Sequence, residues 1–344
     1  MMSQLKQEQS VNVLETVVGM RKQRTMMVQT MEQYVYLHKL LAEVSTFGTT
    51  AFPTNQIGEK MASMRRKGTD GLDGFETEYR NLGTIGPIDE LHDIAERPAN
   101  VKFNRYPGIV PYNRARLILP PIRPNEPPAY YNASLIMNCD GFNGSIICAQ
   151  SPLYDQTKEF WFAVWNYDVT MIVMVTDLVD DNGKEQCSKY WPDYPRQSVK
   201  YGGVSVTLVR EVVDGAVVTR FMKITQGGVT KDLTQIQYLD WKEHGEPPSV
   251  DSVLGFVKVL ENSSNRGQAF IHCTDGAGRS GVVVSLVNII QQIKNQNQID
   301  VFRAVKDLRD YRPNMVNTEE KYRLVYEVCK NFVSGFDLYE NLRQ

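Results

Sequence analysis

Apolar residues in this chain fall into two patterns, short dense blocks and longer helical stripes. The dense blocks, rich in branched and aromatic side chains, predict strands over residues 146–149, 170–176, 204–210, 217–224, 235–239 and 269–272. Such side chains suit a pleated, half-buried surface. The stripes predict helices over 157–167, 250–262, 279–294, 301–311 and 318–332. A helical pair is expected over 55–83, broken at Gly68-Thr69-Asp70-Gly71. The apolar stretch 161–176 is interrupted by Asn166 and Asp168, so it reads as a helix and then a buried strand, not as a membrane span. Strands mixed with helices in this way imply a multi-stranded mixed sheet flanked by helices, an α/β (α+β) fold.

One helical stretch occurs twice. Residues 11–41 align without gaps to 299–329 at an offset of 288. Val13, Val17, Arg21 and Arg24 match Val301, Val305, Arg309 and Arg312, while Met27-Val28, Thr30, Glu32 and Tyr34 match Met315-Val316, Thr318, Glu320 and Tyr322. Identities at helical spacing over this length indicate duplication. Residues 1–45 are therefore expected to be the C-terminal tail of a preceding domain of the same kind, 46–55 a linker with Gly48 and Pro53, and 56–344 the main domain. The tail's apolar set, including Val13, Val17, Met20 and Leu37, would normally pack inside that preceding domain. Weak self-association of this chain is the expected consequence.

Composition narrows the function classes. The 344 residues are 42% hydrophobic and 23% charged with a net charge of −2, an ordinary globular balance with no field that would draw nucleic acid or a membrane. The run Met64-Arg65-Arg66-Lys67 reads as a solvated helix face. Five cysteines without paired spacing fit a reducing compartment, hence a cytoplasmic location. Four scattered histidines and no Cys/His cluster argue against a metal, and no cofactor is expected. The first residues are polar and helical in pattern, unlike a secretory signal.

The chemistry concentrates in one string, His272-Cys273-Thr274-Asp275-Gly276-Ala277-Gly278-Arg279-Ser280-Gly281. Ala269-Phe270-Ile271 leads in and Val282-Val283-Val284 leads out, so the layout is strand, glycine loop, helix. Glycines let successive N–H groups converge into an anion-binding nest, and the helix start adds its positive end. A thiol at the rim of such a nest is expected as thiolate, which makes Cys273 a nucleophile toward phosphorus. Arg279 can grip two oxygens of a phosphoryl group in a fork. The bare Cys-x5-Arg spacing is common by chance; the whole string in this setting is specific.

This string resembles the phosphate loop of the protein-tyrosine phosphatases. Asn104-Arg105-Tyr106, Pro111-Tyr112-Asn113, Tyr131-Asn132-Ala133-Ser134, Ala149-Gln150-Ser151-Pro152-Leu153, Glu159-Phe160-Trp161 and Tyr190-Trp191-Pro192 resemble further landmarks of that family, in order. The likeness covers about residues 50–340 and points to the second, membrane-distal domain of a tandem receptor-type phosphatase. It implies a highly twisted mixed sheet and hydrolysis of phosphotyrosine in a protein or peptide through a cysteinyl-phosphate. By the same resemblance Cys273, Arg279 and Ser280 act in catalysis, Thr274 to Gly278 line the cradle, and Tyr106 sandwiches the substrate ring. The segment Trp241-Lys242-Glu243 stands where the family carries its acid loop, with Glu243 as general acid. Asn317 and Lys321 stand where the family has water-positioning glutamines. Asp181 stands where a glutamate usually holds the loop arginine.

Several of these are departures. Glu243 adds a methylene to the usual Asp, Lys242 replaces a Pro, and Gly108 replaces an Asp that binds substrate backbone. Asn317 is shorter than Gln, whereas Gln29 and Gln33 in the upstream copy keep the usual residues. Asp275 replaces a small residue; it opposes both thiolate and phosphate, should raise the Cys273 pKa, and is relieved if it turns toward Lys242. Two functions remain open: a phosphotyrosine phosphatase of reduced activity, or a silent module that holds phosphopeptide or docks on a preceding phosphatase domain of the same receptor. Tyr106 and Asp275 argue against a lipid or dual-specificity phosphatase.

Overall fold

The computed structural model describes residues 1–344 except 85, 87–89, 143, 243–247, 264–266 and 342–344. The chain opens with helices α1 (Met2–Glu8), α2 (Val13–Gln23) and α3 (Met31–Phe47). A short strand β1 (Phe52–Pro53) precedes α4 (Ile57–Met64), α5 (Gly74–Asn81) and α6 (Pro98–Val101). Then come β2 (Ala133–Cys139), β3 (Gly144–Gln150), α7 (Thr157–Asn166) and β4 (Val169–Met174). A meander follows: β5 (Ser198–Tyr201), β6 (Val204–Asp214), β7 (Val217–Gln226) and β8 (Val229–Tyr238). The chain continues through α8 (Val250–Asn262), β9 (Gln268–Cys273), α9 (Gly278–Gln296), β10 (Gln298–Ile299), α10 (Val301–Tyr311) and α11 (Glu319–Asn341).

Among the described residues, eight strands form one mixed sheet in the order β2-β3-β9-β4-β8-β7-β6-β5. The β3, β9, β4 and β8 ladders are parallel, and the outer ladders are antiparallel. Strand β9 therefore sits inside the sheet, covered on both faces, which is why its centre, Ala269-Phe270-Ile271, is apolar without alternation. Alternation along it decides where the chemistry points. Ala269, Ile271 and Cys273 belong to the core formed with α8, α9 and α11. Phe270 lies in the opposite core with Phe160 and Trp161 of α7 and Tyr190.

Helices over 250–262 and 301–311 are found as expected, and the pair over 55–83 is α4 and α5. Strands β2 and β5 went unforeseen, and β8 begins at Val229 and not at 235. The first half of β8 is polar (Thr230, Lys231, Asp232), but pairing with β7 from Gln226↔Val229 onward holds it in the sheet. The expected linker 46–55 is not free. Phe52 and Pro53 pair with Ile299 and Gln298, and the Thr50 hydroxyl donates to Asp300 Oδ2 at 2.9 Å.

The sequence repeat extends to conformation. Arg21 Nε donates to the Met27 carbonyl at 2.9 Å and its terminal nitrogen to Val28 at 2.7 Å. Arg309 does the same to Met315 at 2.9 Å and Val316 at 3.0 Å. Val28 and Val316 both adopt left-handed backbone, φ 58° and 55°, a costly state for a branched residue. What differs is the packing. Leu14 is 63% exposed where its counterpart Phe302 is 2% exposed, and Tyr36 is 51% exposed against 5% for Leu324. Val13, Val17 and Leu41 make a small cluster of their own. Uncovered apolar side chains favour association, so the full chain should sediment with a weak concentration dependence that disappears when residues 1–45 are removed. A full chain that stays monomeric throughout the series contradicts this.

Candidate active site

Cys273 ends β9, and α9 begins five residues later at Gly278. The turn between them depends on Gly276, whose φ is 69°. A Cβ at that position would lie 2.2 Å from the Ala149 carbonyl carbon and oxygen, so no other residue fits without moving β3. The loop is braced from beneath by Arg312, which is fully buried. Its Nε donates to the Gly276 carbonyl at 2.8 Å, and one terminal nitrogen donates to the Asp275 carbonyl at 3.1 Å and to Asn132 Oδ1 at 2.9 Å. The Val316 N–H takes the Ala277 carbonyl at 3.1 Å. With its carbonyls held below, the loop turns amides toward the Cys273 side.

Those amides are occupied. Asp275 Oδ1 accepts from the N–H groups of Ala277 at 2.8 Å and Gly278 at 2.9 Å, and lies 3.2 Å from Cys273 Sγ. Asp275 Oδ2 accepts from Asn317 Nδ2 at 2.8 Å. A carboxylate and a sulfur at that distance share a proton. Two N–H donors on the same oxygen suit a carboxylate and burial suits a neutral thiol, so the proton is placed on Cys273, donating to Asp275. The expectation of a thiolate is therefore corrected. Burial first, and then the Asp275 charge, push the Cys273 thiol up to about 11, against the pull of Arg279 and the Ser280 hydrogen bonds. The opposition by Asp275 is as the charge argument has it, but the relief by Lys242 is not. Lys242 Nζ pairs with Asp177 Oδ2 at 3.0 Å, and Asp275 turns inward to its own loop.

The other candidate residues divide into those gathered at the loop and those that are not. The Arg279 guanidinium donates to the Trp241 carbonyl at 2.9 Å and to the Thr274 hydroxyl at 2.7 Å, and Thr274 shares a 3.0 Å hydrogen bond with Thr176. The Ser280 N–H points at Cys273 Sγ at 3.4 Å. Among the described residues, Asp181 is not a partner of Arg279; it is exposed and its charge acts on Lys242. Lys321 folds onto the Thr318 hydroxyl at 3.5 Å. Glu243 lies outside the described residues. Tyr106 is half-buried on a segment fastened by Gln150, whose amide holds the Arg105 N–H at 3.0 Å and the Phe103 carbonyl at 2.7 Å. Gln150 is the register partner of Cys273, so the aromatic's loop is tied to the strand position beside that cysteine.

Two contributors were missed in the sequence. Arg312 carried a signal, its match to Arg24 in the repeat, and Gln150 carried none beyond its motif. His272 adjoins Cys273 but faces the opposite core, bonded to Ser151 Oγ at 3.1 Å and Tyr190 OH at 2.7 Å. Burial lowers its pKa to about 3, so it is neutral and is not a base for the thiol. A cavity of about 750 Å³ lies elsewhere, between α3 and the α9–α10 pair. Among the described residues no helix is long and apolar enough to cross a membrane.

A cysteine at a strand end, a glycine turn with converging amides and an arginine on the first helical turn define a phosphate-binding loop of the cysteine-phosphatase type. The family model described as protein-tyrosine phosphatase matches residues 1–43 and 100–331. Tyrosine-protein phosphatase Lar of Drosophila melanogaster is 31% identical over 350 residues, 99% of this chain and 17% of that protein. Human receptor-type tyrosine-protein phosphatase F is 32% identical over 351 residues, 98% of this chain and 18% of its own length. Human receptor-type tyrosine-protein phosphatase alpha is 32% identical over 352 residues, 100% of this chain and 43% of its own length. The chain thus spans less than half the length of these relatives, and it belongs to the protein-tyrosine phosphatase family.

Two pH experiments follow from the site. Alkylation of Cys273 by iodoacetamide should rise about tenfold per pH unit from neutrality toward pH 10, as the thiolate fraction does, because the thiol sits at about 11. Asp275→Ala should raise the rate at neutral pH; a plateau below pH 8 in the unaltered chain contradicts the assignment. His272 is depressed from 6.5 to about 3, so its contribution to stability is complete above pH 6.5 and is lost as pH falls toward 3. Unfolding in that window should take up about one extra proton, seen as a pH slope in denaturant titrations that His272→Gln removes. An unchanged slope in the variant contradicts it.

Proposed function

We propose that this chain is a receptor-type phosphatase domain that hydrolyses phosphotyrosine through a cysteinyl-phosphate, at a rate held down by its own Asp275. The observation that carries this is the seating of the Asp275 carboxylate on the Ala277 and Gly278 amides, 3.2 Å from Cys273 Sγ. In the reaction, Sγ bonds to phosphorus as the aryl oxygen leaves, Glu243 protonates that oxygen, and water then cleaves the S–P bond. A phosphoryl group must first displace Asp275 from the loop. Only on the order of one thiol in ten thousand is ionised at pH 7 with the Cys273 pKa at about 11. Both conditions slow turnover without removing the nucleophile or Arg279.

The second reading, a silent module that holds phosphopeptide or docks on a neighbouring phosphatase domain, is favoured by the proton shared between Cys273 and Asp275. We read residues 1–45 as the tail of a preceding phosphatase domain. The separate match of the family model to 1–43 and the paired Arg21 and Arg309 geometries support this. That domain is then the natural partner of the present one, beside a phosphotyrosine protein or peptide. The five free cysteines suit a reducing compartment, and the relatives are named as receptor-type phosphatases, so we assign the domain to the cytoplasm.

Aryl-phosphate hydrolysis by the full chain should be slow but above that of Cys273→Ser; equal rates would leave the silent module. Asp275→Ala combined with Lys242→Pro and Glu243→Asp should raise kcat/KM by about 100-fold or more, through better anion binding and leaving-group protonation. A flat response would locate the defect at Asn317.

A further inference from the structure

Helix α10 carries two sets of contacts, one at its C-terminal end and one along its side. Its C-terminal end holds the phosphate loop. Arg312 takes the carbonyls of Asp275 and Gly276, Arg309 fixes the turn at Met315 and Val316, and that turn delivers Asn317 to the Asp275 carboxylate. The face that bears Arg303, Lys306 and Asp310 meets α3 through a cluster of charges. Glu43 of α3 accepts from Arg303 at 2.6 Å and lies 3.7 Å from Lys306 and from Lys39. Lys39 donates to both Asp310 oxygens, at 3.0 and 2.8 Å, and Lys306 reaches Asp310 at 3.3 Å.

These are not solvated surface pairs. The Glu43 and Lys306 side chains are 3% and 2% exposed, so both charges lie out of water where α3 meets α10. A buried charge that loses its partner must be rehydrated, and the element bearing it must move. Asp310, which takes Lys39, is two residues from Arg312, which takes the loop. A shift of α3 on α10 therefore reaches the loop through one rigid helical turn and its bonded cap.

We infer that Glu43, with Lys39, is a positioning residue for the phosphate loop, acting through α10 and Arg312 to keep Asp275 seated on the loop amides. The α3 segment is then the element through which a preceding domain sets the state of this site. The inference rests on the self-occluded reading of the site given above. When α3 lets go, the α10 end relaxes, Asn317 and Arg312 loosen on Asp275, and the carboxylate leaves the thiol.

The test is the alkylation rate of Cys273 against pH in the full chain, read by mass spectrometry of the Cys273 peptide, with hydrogen exchange over residues 31–47 as the measure of docking. Glu43→Ala should free α3 and raise Cys273 alkylation at neutral pH by about 2- to 30-fold, the range of couplings carried through packed networks. Glu43→Gln, which keeps a hydrogen-bond acceptor for Arg303, should fall between it and the unaltered chain. Lys39→Met serves as the second variant if Glu43→Ala does not fold, since it opens the Asp310 contact from a less buried position. Faster exchange in residues 31–47 with an unchanged alkylation profile overturns the inference. Asp275→Ala is the control for the underlying reading. If it leaves alkylation unchanged, the occlusion itself is wrong, whatever Glu43 does; if it accelerates alkylation while the released α3 does not, only the positioning role fails.

Discussion

Asp275 turns its carboxylate onto the amides of Ala277 and Gly278, and the charge on that side chain governs what the rest of the loop does. An array of converging N–H groups with no anion in it is an unsatisfied site. Here the chain supplies the anion from the second residue after Cys273. The amides are satisfied, the thiol keeps its proton, and Arg279 is held by the Trp241 carbonyl and the Thr274 hydroxyl. A phosphate dianion arriving at this loop meets a resident carboxylate, and like charges at a few ångströms in a partly buried site cost about 2 kcal/mol or more.

The interaction persists because the backbone around it is over-determined. Gly276 can turn only as glycine against Ala149. Arg312 and the Val316 N–H hold three successive loop carbonyls from below. Strand β9 is locked between two parallel neighbours, so Cys273 has one possible direction. The loop thus cannot relax to accommodate Asp275, and the aspartate instead adapts to a cradle shaped for phosphate. The fold and the residues placed on it are thus separable: the backbone of the loop is held by its surroundings whichever side chain stands at 275.

Much of this was legible in the sequence. The strand, loop and helix around Cys273 follow from Ala269-Phe270-Ile271, the glycines and Val282-Val283-Val284, because period and turn residues agree. That Asp275 would oppose the thiol follows from charge alone. Where its side chain points did not follow, since that depends on loop torsions that place the Ala277 and Gly278 amides within reach and Lys242 on Asp177. The thiolate expectation failed because it counted the nest and the helix end but not the burial of Sγ. Asp181 was assigned by position in a motif, yet its turn carries it into solvent. Strands β2 and β5 escaped notice for different reasons: β5 is four residues of alternating polar and apolar side chains, and β2 mixes Ser134 and Asn138 into its apolar residues, so neither keeps a clean period. Arg312 and Gln150 act through contacts distant in sequence, which no local pattern encodes.

The central claim is that Cys273 rests as a thiol bonded to Asp275, and infrared spectroscopy reports that bond directly. A difference spectrum between the full chain and Cys273→Ala, recorded at neutral pH, should contain an S–H stretching band that shifts to higher frequency in Asp275→Ala as the strong acceptor is lost. The absence of any such band, with thiolate absorbance in the ultraviolet removed by Cys273→Ala, would contradict the account.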